Sequence, residues 1–107
     1  MAIGTINKER VFFCGYVDMT NISIGANGAS YVSFSMGKQG YKCLMVSGCR
    51  ITNSQSGGAN ANNVVTAQID MWGNDTVGGG AAGVRFRNIG NSAAKVDARL
   101  FGLYASA

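Results

Sequence analysis

Apolar and polar side chains alternate with a period of two along most of this chain, and that period constrains its fold more than any other feature. Val32, Phe34 and Met36 alternate with Ser33 and Ser35, and Val84 and Phe86 with Arg85 and Arg87. Val65, Ala67, Ile69 and Met71 alternate with Thr66, Gln68 and Asp70. Near the end, Val96, Ala98, Leu100, Gly102 and Tyr104 alternate with Lys95, Asp97, Arg99, Phe101 and Leu103. Successive side chains of a strand point to opposite sides, so each stretch reads as a strand with one dry and one wet face. Arg10–Val17, the short Ile22–Ile24 and Lys42–Thr52 read as further strands. Turn signals separate them at Gly25-Ala26-Asn27-Gly28, Gly37-Lys38-Gln39-Gly40, Gly73-Asn74-Asp75 and Asn88-Ile89-Gly90-Asn91-Ser92. No stretch carries a helical period. The expected fold is all-β: an antiparallel β-sandwich, jelly-roll-like, of seven or eight short strands with no significant helix.

The 107 residues fit one domain, expected over 1–107 with residues 1–9 as an extended arm or linker. Hydrophobic residues are 47% and charged residues 13%, which excludes a disordered chain, and no apolar run approaches the length of a membrane span. Met1-Ala2-Ile3-Gly4-Thr5-Ile6-Asn7-Lys8 has no basic segment followed by an apolar one, so no signal peptide is expected.

Histidine is absent, which removes the usual general base, the Ser/His and Cys/His nucleophile pairs and the commonest zinc ligand. With five acidic residues besides, no enzyme is expected. Gly78-Gly79-Gly80-Ala81-Ala82-Gly83 contains G-x-G-x-x-G, but a dinucleotide site needs a helix after the glycines and here a strand follows. No cofactor is expected, and the run reads as a turn. Asp70-Met71-Trp72-Gly73-Asn74-Asp75 lacks the oxygens and the spacing of a calcium loop, so no metal is expected either. Cys43 and Cys49 share a strand and lie too far apart to pair, whereas Cys14 could reach one of them across a sheet. All three read as reduced, buried side chains in a protein folded in a cytoplasm.

Binding candidates come from two places. Trp72 falls on the wet parity of its strand beside Asn74 and Asp75. An exposed ring next to amides and carboxylates suits a sugar, whose apolar face stacks and whose hydroxyls are hydrogen-bonded; a Trp buried at a sheet edge or subunit contact is the alternative. The polar run Thr52–Asn63 supplies Gln55 and Asn60 as further receptor-binding candidates. Phe101 and Leu103 share the outward face of Lys95, Asp97 and Arg99, and Phe12 and Tyr16 lie in a stretch apolar on both faces. These four are the expected oligomer-interface residues. Arg85, Arg87, Lys95 and Arg99 are expected on the outward face of two adjacent strands. With a net charge of +4 they could bind nucleic acid, but cross-strand pairing with Asp97 explains them as well and no aromatics are interleaved.

Three stretches carry a resemblance. They are Ile22–Phe34, then Gly40-Tyr41-Lys42 leading into an apolar strand and the polar run, then Val84–Val96 running on to Leu103-Tyr104. In this order, over roughly residues 16 to 104, the chain resembles the C-terminal domains of bacteriophage and prophage tail fibre, tail spike and baseplate proteins. The Arg87-Asn88 pair, the small-residue turn and the strand ending in Leu-Tyr are its most suggestive part. The resemblance implies a homotrimeric β-sandwich at the tip of a virion tail appendage, assembled in the host cytoplasm beside other tail proteins. It implies contact with a bacterial surface polysaccharide or protein receptor. A purely structural trimerisation or capsid-decoration protein is the first alternative, and a small nucleic-acid-binding β-barrel the second.

Overall fold

The computed structural model describes residues 11–54, 64–72 and 77–106. Among them are six strands and no helix: β1 (Phe12–Ile24), β2 (Ala29–Ser35), β3 (Tyr41–Ser54), β4 (Val64–Trp72), β5 (Ala81–Asn88) and β6 (Ala94–Ser106). They form two three-stranded antiparallel sheets, sheet A in the order β1-β6-β3 and sheet B in the order β2-β5-β4. The two sheets pack face to face as a β-sandwich around one core.

The alternation read from sequence fills that core. Phe34 and Met36 beside β2 and β5's Ala82, Val84 and Phe86 are buried from sheet B. Val96, Ala98, Leu100 and Tyr104 are buried from the centre strand of sheet A, with Ile22 and Ile24 beside them.

The strands are fewer and longer than expected, because bulges hide their continuity. Arg10–Val17 and Ile22–Ile24 belong to one strand, β1, whose register against β6 shifts between Met19 and Ile22. Asn21 takes a positive φ of 57° there, which an Asn tolerates better than most residues. Its N–H donates to the Asp97 carboxylate at 3.0 Å, and Asn53 Nδ2 donates to the same carboxylate from the opposite neighbour at 3.4 Å. Asp97 thus ties down irregular steps of both edge strands. In β4 a shift between Thr66 and Gln68 changes the parity, so Val64 is buried and Val65, expected on the dry face, is exposed.

Two polar residues join the sheets, one near each end. Tyr104 of β6 is fully buried and its hydroxyl donates to the Met36 carbonyl beyond β2 at 2.8 Å. Phe13 stacks on its ring at 5.2 Å, and Gly15 lies so close that an added Cβ would come within 2.9 Å of that ring. At the other end, buried Asn88 of β5 donates from Nδ2 to the carbonyls of Ile24 and Ser92, and its Oδ1 accepts from Gly90 N–H.

Burial pushes the Tyr104 hydroxyl up to about 12 and the Cys49 thiol up to about 11, and raises Cys43 as well. These groups hold their protons more tightly folded than unfolded, so their contribution is complete below their unfolded values and is lost as pH rises through the folded ones. Stability should therefore be level near neutrality. It should decline from about pH 9 through Cys49 and from about pH 10 through Tyr104, in guanidinium melts taken across the alkaline range. Cys49→Ala should flatten the first part of that decline.

Candidate functional site

The outer face of sheet A is divided in two. The β1-β6-β3 register sets Cys14, Leu103 and Met45 side by side, and Tyr16, Phe101 and Gly48 in the next outward row. Phe12 stands at the end of this half. Phe12, Tyr16 and Met45 are 56%, 48% and 50% exposed, although soluble chains usually cover such side chains when they cluster. The Tyr16 and Phe101 rings meet edge to face at 6.4 Å, and Gly48 leaves open space beside them.

The other half is polar. Arg99 donates to both oxygens of Asp18, at 2.8 and 3.1 Å, and its guanidinium lies 3.8 Å from the Tyr16 ring centroid. The hydrogen bonds from Arg99 hold the Asp18 carboxyl below its ordinary value and raise Arg99 in turn. Arg50 is paired with Arg99 across the strands, followed by Asn53 beside Asp97. An apolar half edged by charged and amide groups has the layout of a protein interface: an apolar centre and a polar rim.

The outer face of sheet B has a different character. Its central strand presents Arg85 and Arg87, with Tyr31 and Gln68 flanking Arg85, and Ser33 and Asp70 flanking Gly83. Arg85, Arg87 and Gln68 are exposed, as is Tyr31 at 43%. Gln68 Nε2 donates to Asp70 Oδ2 at 2.6 Å. Partial desolvation and the Asp70 charge raise the Tyr31 hydroxyl, opposed by Arg85.

The four expected interface residues, Phe12, Tyr16, Phe101 and Leu103, thus share one face, with Phe101 and Leu103 partly covered rather than fully exposed. Met45 joins them unannounced, because β3 carries register shifts around Leu44, Ser47 and Thr52 that erase its alternation. The four expected cations do not share a face. Arg85 and Arg87 lie on sheet B and Lys95 and Arg99 on sheet A, since β5 and β6 are consecutive but sit in different sheets. Of the receptor candidates, Trp72 ends β4 with its backbone opposite Ala81, while Gln55, Asn60, Asn74 and Asp75 lie outside the described residues. All three cysteines are free, and Cys14, expected to be buried, is exposed on sheet A.

No family model, curated protein or solved structure matches this chain. Among the described residues no group of His, Cys, Asp and Glu could hold a metal ion. The exposed thiol gives a direct readout of sheet A: in dilute native protein a maleimide should label Cys14 rapidly and Cys43 and Cys49 only after unfolding. Mass spectrometry of the labelled peptides checks the order.

Proposed function

We propose that the chain is a non-enzymatic virion module, a tail-fibre-tip-like domain that trimerises through the outer face of sheet A and attaches to a host-surface receptor, a glycan. The observation that carries this reading is the meeting of Phe12, Tyr16, Met45, Phe101 and Leu103 on one face beside a polar rim. Full burial of a large apolar side chain contributes about 1.5–3 kcal/mol, and less where it is already half covered. Several together are needed against the entropy of association. The resemblance to tail appendage domains supplies the number three and the attachment role. The sandwich has two opposite outer faces, so association through sheet A leaves sheet B turned outward. Weak sites repeated on one axis would then gain through effective concentration.

Light scattering on a sizing column tests the association. The expected mass is three times the 11.1 kDa of one chain, falling to a single chain in Phe101→Ser and Leu103→Ser. In the assembled form Cys14 should also resist maleimide. A wild-type monomer at working concentration would reject the interface. A trimer that fails to adsorb to any host cell would leave the cap or decoration reading.

A further inference from the structure

We infer that the outer face of sheet B is a platform for an acidic sugar, with Tyr31 as the stacking ring and Arg85 and Arg87 as the cations that hold the sugar carboxylate. The inference rests on the attachment reading only for the expectation that a glycan is met; the place and the charge of the ligand come from this face itself. The Tyr31–Arg85–Gln68 row crosses three strands, and Arg87 and Asp70 flank it along the sheet. Strands lie about 4.8 Å apart and same-face neighbours about 7 Å, so the five side chains spring from a surface the size of one or two sugar rings.

The chemistry of each group fits that occupant. An exposed phenol ring offers a flat apolar surface with a polar tip, which suits the apolar face of a pyranose. Among the described residues no ion pair engages Arg85 or Arg87, in contrast to Arg99 on sheet A, which Asp18 holds. A guanidinium without a carboxylate of its own is suited to receive one in bidentate fashion. Asp70 accepts one hydrogen bond from Gln68 and keeps acceptor capacity for hydroxyl donors. Gln68 still has a carbonyl oxygen and an N–H to offer.

The balance of charge narrows the ligand. Two arginines against one carboxylate favour a ligand that brings a single negative charge together with hydroxyls. A phosphate chain brings many charges and no hydroxyl donors, and Asp70 would repel it. Nucleic acid would also want a series of stacking rings and a line of cations, whereas Lys95 and Arg99 are on the far sheet.

Calorimetric titration with a galacturonic acid oligomer and with sialyllactose tests the site, with a dextran oligomer and polyphosphate as comparisons. Both Tyr31→Ala and Arg85→Gln should weaken binding of an acidic sugar about tenfold or more, the loss of one good charge-assisted contact. Arg87→Gln should weaken it too, and all three variants should keep the parent melting temperature because these side chains are exposed. Dextran should bind far more weakly. Absence of binding to both acidic sugars overturns the inference, as does binding that survives the Tyr31→Ala, Arg85→Gln double variant. Tighter binding to polyphosphate, falling steeply with salt, overturns it in favour of a general polyanion surface. The monomeric Leu103→Ser variant should keep the affinity of a single site, so failure of association and failure of this site are read separately.

Discussion

Asn88→Leu should lower the unfolding midpoint more than any other single polar substitution in the described residues, by roughly 15–25 °C in a thermal melt. Asn88 is completely buried and uses its amide fully, with Nδ2 donating to Ile24 and Ser92 and Oδ1 accepting from Gly90. Leucine has the same branched outline, is bulkier, and offers none of these bonds. Two carbonyls and one N–H would lose their partners, each at a cost of about 1–3 kcal/mol, the lower figure where water can reach the turn. The total, about 4 kcal/mol, is a large part of the stability of a domain this size. The bonded groups also belong to different sheets, Ile24 at the end of β1 and Asn88 at the end of β5, so the loss loosens the sandwich as well as the turn. Asn88→Asp separates the causes. It keeps the size and the acceptor for Gly90 but turns a carboxylate toward two carbonyl oxygens. It should be at least as damaging as leucine at neutral pH and recover in part in acid, where a protonated carboxyl can donate. An Asn88→Asp protein as stable as the parent at neutral pH would show that packing, not hydrogen bonding, accounts for this position.

The dry faces of β2, β5 and β6 were legible because those strands alternate without interruption where they bury Phe34, Val84, Phe86, Val96 and Leu100, the extra residue at each register shift lying in β1, β3 or β4. The bulged strands were not. A single extra residue in β4 exchanges Val65 for Val64 in the core, and three in β3 hide that Met45 stands beside Leu103. Sheet membership was also beyond local pattern. The turn after Asn88 carries the chain from sheet B to sheet A, bonded on its way by Asn27 N–H to the Gly90 carbonyl, and nothing in the alternation of β5 and β6 announces that crossing. The separation of Arg85 and Arg87 from Lys95 and Arg99 follows from it. The apolar face was half legible: parity alone put Phe101 and Leu103 together in β6. The Arg-Asn pair and closing Leu-Tyr that carry the resemblance contain Asn88 and Tyr104, the two residues that tie one sheet to the other.

Gly37→Ala should be the most damaging of the glycine substitutions, costing about 1–3 kcal/mol through crowding that the neighbours cannot relieve. A Cβ on Gly37 would fall on the Gly78 carbonyl oxygen, with the Gly78 carbonyl carbon at 3.1 Å and Gly79 Cα at 3.5 Å behind it. Those atoms are backbone, and hydrogen bonds hold both sides in place. Met36 N–H donates to the Gly80 carbonyl at 2.9 Å and Gly78 N–H to the Tyr41 carbonyl at 2.8 Å. Gly78 and Gly80 themselves have positive φ angles of 72° and 114°, so the glycine run suits a tight backbone contact between two loops. Gly78→Ala meets open space but an unfavourable φ, and should cost about 1–2 kcal/mol. Gly25→Ala meets open space at an ordinary φ and should be neutral or slightly stabilising. Urea denaturation of the three variants therefore yields an order, Gly37 worst and Gly25 mildest. An equal small gain at all three, the effect of nothing but the freedom alanine removes from the unfolded chain, would mean that the two loops are not clamped as described.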